Sequence, residues 1–117
     1  MQKRTKYFSR ATVCEQGHKH QSKKEAHRCD ELTIIEGLGT IKWLKQQPIF
    51  ILQPKFRYKG KGIRAITYQA DFSYYDTESR KFTVEDSKGY KTEKYQIKKK
   101  LLIFKMRDRE DFLFLET

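Results

Sequence analysis

Apolar and polar positions between residues 66 and 88 alternate in a way that predicts two strands and a reversal. Ile66, Tyr68, Ala70, Phe72 and Tyr74 take every second place against Thr67, Gln69, Asp71 and Ser73, the period of a strand with one buried and one polar face. Asp71 is thereby expected to point away from the aromatic face. In the second run Phe82, Val84, Asp86 and Lys88 share one side and Thr83, Glu85 and Ser87 the other, so Asp86 and Lys88 are neighbours. The polar hexapeptide DTESRK at 76–81 suits an antiparallel hairpin that carries Asp71 toward Asp86.

The same reading extends along the chain. Ser22 followed by Glu25 is a capping box and predicts a helix over residues 23–36, stopped by Gly37 and Gly39. From 41 to 58 the pattern is strand-like, with Trp43, Ile49, Phe50, Ile51, Leu52, Phe56 and Tyr58 interrupted by Pro48 and Pro54. Lys59-Gly60-Lys61-Gly62 reads as a turn, and the stretch as a three-stranded antiparallel meander on the first helix. Its lysines and Arg57 are candidates to hold a phosphate strand. Thr92 caps a helix to about residue 106, with Lys91, Lys94, Lys98 and Lys105 approximately on one face and Tyr95, Leu101, Leu102 and Phe104 elsewhere. Residues 111–115 read as a closing strand.

A chain of 117 residues suits one domain, here 11–117, preceded by a basic arm over 1–10. Lys plus Arg number 26 against 15 acidic residues, and the net charge of +11 favours a polyanionic partner, most simply nucleic acid. That balance does not separate DNA from RNA. No apolar run approaches the ~18 residues of a membrane span, and the start MQKRTKYFSR lacks the apolar centre of a signal peptide, so a soluble, cytoplasmic protein is expected.

Residues 14–29, CEQGHKHQSKKEAHRC, hold both cysteines and all three histidines of the chain. In a reducing compartment such a pair points to metal or burial before a disulfide. Cys14, His18, His20 and Cys29 form a candidate tetrahedral zinc set, because thiolate and imidazole are the ligands structural zinc prefers. Glu15-Gln16-Gly17 supplies a turn before His18, and His27 points elsewhere on the helix. Two cysteines that are simply buried, with surface histidines, are the competing reading.

Asp71 and Asp86, if about 4 Å apart, would repel by about 4 kcal/mol at an effective dielectric of 20. A divalent cation with oxygen ligands, Mg2+ or Mn2+, offsets that better than Lys88 alone and would serve phosphodiester hydrolysis. A solvated cross-strand pair is the alternative. Asp71, a loop, then Asp86-Ser87-Lys88 resembles the D…(D/E)xK signature of the restriction-endonuclease-like, or PD-(D/E)xK, nuclease superfamily. SKKEA at 22–26, the Gln-Pro pairs at 47 and 53, RAITYQADF at 64–72 and EDSKGYKTEKY at 85–95 are similar to a small phage-encoded family of that superfamily, often likened to Holliday-junction resolvases.

That resemblance implies an α/β fold of order αβββαβ with a mixed central sheet flanked by helices. It implies Glu25, Asp71 and Asp86 as metal ligands with help from the Ser87 carbonyl, and Lys88 as the catalytic lysine. Glu25 also has a simpler reading as the capping-box acid. Ala70 stands where the superfamily's nominal proline would be. Lys91, Lys94 and Lys98, with Lys23 and Lys24, become candidates to touch DNA. The activity the resemblance implies is that of a Mg2+- or Mn2+-dependent endonuclease acting on branched or junction DNA in phage recombination, as a homodimer in the host cytoplasm. A non-catalytic nucleic-acid-binding accessory protein is the rival, and an RNA-binding, ribosome-associated protein a third reading.

Overall fold

The architecture comes from a computed structural model, which describes residues 12–15, 17–20, 22–87 and 91–117. Among the described residues the first elements are β1 (Thr12–Val13) and β2 (Lys19–His20), paired antiparallel. Gly17, at φ +85, makes the tight return between them, closed by Cys14 N–H to His18 O and Gly17 N–H to Cys14 O, both 2.9 Å. Helix α1 (Lys23–Gly37) follows, its Ser22 Oγ accepting the Glu25 N–H at 3.2 Å as a cap. Gly39, at φ +82, turns the chain after the helix.

The remaining elements are β3 (Ile41–Gln46), β4 (Ile49–Gln53), β5 (Phe56–Tyr58), β6 (Lys61–Ile63), β7 (Ile66–Gln69), β8 (Phe72–Asp76), β9 (Lys81–Asp86), α2 (Glu93–Lys105) and β10 (Phe112–Glu116). The central sheet runs β10-β9-β8-β3, antiparallel at β3/β8 and β8/β9 and parallel at β9/β10, so it is mixed. Helix α2 is the crossover that a parallel neighbour requires. Thr92 caps it, Oγ1 accepting the Tyr95 N–H at 3.0 Å. In the β8–β9 turn the Asp76 Oδ1 accepts the Glu78 and Ser79 N–H groups at 2.9 and 3.2 Å, the local bonding that makes Asp a turn former.

The expected three-stranded meander over 41–58 does not form. That stretch pairs instead with 61–76, as β3 on β8, β4 on β7 and β5 on β6, one long two-stranded ribbon with breaks. Pro48 and Pro54 lack the N–H a continuous ladder needs, and the breaks fall beside them. Around the first, Gln47 N–H to Asp71 O at 2.8 Å and Ala70 N–H to Pro48 O at 3.1 Å carry the pairing through. At the tip, Lys59 and Gly60 have φ of +48 and +77 between paired Tyr58 and Lys61, a two-residue turn of the mirror-image kind that matches strand twist.

Both faces of the central sheet are covered. Cys14, Ala26, Cys29, Leu32, Ile41, Phe72 and Tyr74 form one buried cluster with α1, and Tyr68, Ala70, Val84, Tyr95 and Leu102 form the other with α2. The alternation over 66–74 predicts one buried face, yet Tyr68 and Ala70 belong to the second cluster and Phe72 and Tyr74 to the first. The bend at Ala70–Asp71, between β7 and β8, exchanges the faces, and Asp71 sits at that bend. Among the described residues no helix is long and apolar enough to cross a membrane.

Candidate functional site

Two groups of polar side chains stand out from the core, and the Cys/His group is the more compact. One ligand atom from each of Cys14, His18, His20 and Cys29 lies within 4.8 Å of every other. The Cys14 and Cys29 Sγ atoms are 3.4 Å apart and His18 Nδ1 is 3.3 Å from Cys29 Sγ. Zn–S and Zn–N bonds of about 2.3 and 2.0 Å give tetrahedron edges of roughly 3.3–3.8 Å, so the set is near the size of a four-coordinate metal site. The turn at Gly17 delivers Cys14 and His18, β2 delivers His20, and α1 delivers Cys29. His18 is the least buried of the four. His27 is exposed and pairs with Glu31 at 3.5 Å, away from the cluster as expected. The cluster can bind a metal such as zinc.

Glu25 is drawn to this group. Its Oε1 lies 3.1 Å from His20 Nδ1, and both side chains are buried. The other ring nitrogen, His20 Nε2, is buried with no hydrogen-bond partner. Burial works against a charged His20 ring, but the nearby Glu25 carboxylate and then the Cys14 sulfur outweigh it and raise its pKa. Burial, followed by the neighbouring Cys14, pushes the Cys29 thiol up to about 12. His20 also packs against Phe72, ring centroids 6.0 Å apart, and Cys29 Sγ reaches Gln46 Oε1 at 3.3 Å. The cluster therefore abuts the strand that begins one residue after Asp71.

The second group is acidic. Register pairs Phe72 with Glu85, so Asp71 and Asp86 are the next positions along the two strands. Asp71 Oδ2 accepts the Ser87 N–H at 2.8 Å, which ties the bend to the end of β9. Asp86 is fully buried, and its Oδ2 accepts the Tyr68 hydroxyl. Burial, then the bond to Asp86, raises the Tyr68 pKa, and the phenol stays a donor. Two carboxylates thus stand at one end of the hairpin. Glu25 does not complete a trio with them: among the described residues the Cys/His set is the one group of three or more His, Cys, Asp or Glu that converges on a single point. Lys88, the expected catalytic lysine, lies outside the described residues, as does the basic arm at 1–10.

Glu85 faces the α1 side, opposite Asp86. Arg28 grips it with Nε to Oε2 at 2.7 Å and Nη2 to Oε1 at 2.9 Å, and the Tyr74 hydroxyl adds a bond of 2.9 Å. Glu85 is thereby held within the protein by α1 and β8. The Glu85 bond holds the Arg28 pKa above its ordinary value. On the α2 side, Lys91 and Lys99 reach Glu116 at 2.8 and 3.2 Å, and these lysines with Tyr95 hold its carboxyl down at about 2, Lys91 being the largest influence. Lys91 is therefore partly committed within the protein. Lys23, Lys24 and Lys94 are exposed and Lys98 is half-buried.

Two partnerships escape the sequence. Glu25 with His20, and Arg28 with Glu85, both depend on how α1 lies against its neighbours. A buried-ligand histidine commonly has an outer carboxylate, and Glu25 five residues after His20 is the signal that could have suggested the first. No such signal marks the second, which joins residues 57 apart in the chain.

No curated protein and no solved structure gives a significant match to the chain. A family model described as protein of unknown function (DUF1064) matches residues 4–114, and with nearly the whole chain covered the protein belongs to that family.

Proposed function

We propose that the protein is a metal-dependent DNA endonuclease of the PD-(D/E)xK kind, acting on branched or junction DNA. The observation that carries this reading is the bond from Ser87 N–H to Asp71, which draws the carboxylate at the bend to the residue beside Asp86. Asp71 and Asp86, with the Ser87 carbonyl, would hold Mg2+ or Mn2+. Such an ion needs only one or two carboxylates and keeps several waters, so two acids suffice without Glu25. When bound it would acidify water and neutralise charge on the phosphodiester. The chain's own part is positional. The Ser87 amide and the Tyr68 hydroxyl fix the two carboxylates, and Lys88, two residues after Asp86, would orient the attacking water and offset charge that develops on the phosphate.

Recognition of the polyanion rests on the +11 net charge and on the exposed cations. Lys23, Lys24, Lys94 and Lys98, with Lys91 shared with Glu116, are the proposed phosphate contacts. Residues 54–65 add Lys55, Arg57, Lys59, Lys61 and Arg64 with no acidic residue among them, on a tip where every residue of β5 and β6 is exposed. A homodimer would present two sites to a branched substrate. Zinc at the Cys/His cluster is structural in this reading. The rival, a nucleic-acid-binding accessory protein, draws on the complete burial of Asp86, which suits a structural carboxylate held by Tyr68.

Labelled four-way junction, duplex and single-stranded DNA incubated with Mg2+ or Mn2+ separate the two. Nicking of the junction by wild type, lost in Asp71→Ala and Lys88→Ala with binding retained, is the expected result. Binding by all three proteins without metal-dependent cutting by wild type would replace the nuclease with the accessory protein. Structured RNA in the same panel tests the ribosome-associated reading.

A further inference from the structure

We infer that Cys14, His18, His20 and Cys29 bind one zinc ion, that Glu25 is the carboxylate that positions His20 for it, and that the ion seats residues 12–20 against α1 and Phe72. This goes beyond the hydrolytic reading and does not depend on it. The chemistry of the donor set is the first support: two sulfurs and two imidazoles, with ligand atoms all within 4.8 Å, on a turn closed by backbone bonds at Cys14, Gly17 and His18. The second is His20, 2 % exposed, whose Nε2 is buried without a hydrogen-bond partner while Nδ1 faces Glu25. A buried polar atom left without a bond is destabilising, and a metal is the partner that this nitrogen and its neighbours share. A carboxylate on the far nitrogen of a ligating histidine fixes its tautomer and orientation, which is where Glu25 stands. The third is what the segment lacks. β1 and β2 are two residues each, too short to hold themselves together, and they need a fastening to the helix. Gln46, bonded to Cys29 and paired with Phe72, continues the contact toward the Asp71 bend.

The test is metal content and thiol reactivity of the full chain, not activity. Protein purified without chelator is expected to carry about one equivalent of zinc. Exchange with Co2+ is expected to give the visible spectrum of a tetrahedral ion with thiolate ligands, and both signals are expected to vanish in Cys29→Ser and His20→Ala. Glu25→Gln keeps all four ligands and the backbone N–H that Ser22 caps. It should still load one equivalent, but bind roughly 10- to 100-fold more weakly in competition with a chromogenic chelator. Because Cys29→Ser can fail to fold, wild type is also probed with a thiol reagent, expected to modify two cysteines after chelation and neither before. Less than about half an equivalent of zinc with no uptake of added Zn2+ or Co2+ would overturn the site. So would cysteines that react only after reduction, the sign of a disulfide. A wild-type affinity in Glu25→Gln would overturn the part given to Glu25.

Discussion

The Cys/His end and the acidic end of the molecule are assembled by different means. At the first, four side chains from the single stretch 14–29 close on one another through a turn and the start of a helix. At the second, Asp71 and Asp86 come together only because β8 and β9 pair in one register and the chain bends just before β8. A site built from one short segment can be undone while the sheet stays intact. A site built from register cannot move unless the sheet does, but it holds its residues wherever the sheet puts them, buried or not. Asp86 shows the cost, since its position deep between the layers requires Tyr68 to satisfy it.

The largest effect that would sharpen this contrast is on chemistry. Asp71→Ala is expected to lower metal-dependent junction nicking by at least roughly 10²–10³-fold, the scale for losing one group that stabilises developing charge. Circular dichroism is expected to be unchanged, because the β8–β9 backbone ladder from Phe72–Glu85 to Asp76–Lys81 still holds the register when the Asp71–Ser87 bond is lost. Unfolding of the sheet in this variant would make Asp71 structural and erase the contrast.

Next is removal of the ion from the other end. Zinc held at about 1,000 times its dissociation constant contributes about 4 kcal/mol, so a strong chelator is expected to lower the unfolding midpoint accordingly. Hydrogen exchange should then lose protection over 12–20 and the first turns of α1 while β8 and β9 keep theirs. Equal loss in both places would mean that the two ends form one cooperative unit.

Arg28→Ala probes the link between them, since Arg28 on α1 grips Glu85 on β9. Breaking a buried pair by removing one partner costs 3–5 kcal/mol, and with Arg28 31 % exposed the lower figure, about 3 kcal/mol, is expected in denaturant unfolding. The smallest effect is acid sensitivity at Glu116. Its folded pKa of about 2 is depressed from 4.5, so its contribution is complete above pH 4.5 and fades as pH falls toward 2. The stability difference between wild type and Glu116→Gln should shrink over that window. A constant difference would place the effect in packing instead.

Much of this was legible before the structure. The Ser22 and Thr92 caps mark both helix starts because capping is local, and the DTESRK turn marks the β8–β9 hairpin for the same reason. The Cys/His cluster was legible as a choice of four residues from five, because His27, two places before Cys29 on a helix, points elsewhere. The long ribbon was not, since Pro48 and Pro54 tell where a ladder breaks and nothing about which strand lies across from it. The exchange of faces at Ala70–Asp71 escaped because an alternating pattern carries no mark of a bend. Glu25 was expected as a ligand beside Asp71 and Asp86, and its bond to His20 depends on how β2 meets the first turn of α1, which no local pattern marks.

The claim on which the functional account rests is that Asp71 and Asp86 together hold a divalent cation. Calorimetric titration of the zinc-loaded chain with Mn2+ tests it without substrate. The account predicts a binding event in wild type that disappears in both Asp71→Asn and Asp86→Asn, with zinc content unchanged. Identical titration curves for the three proteins would contradict it.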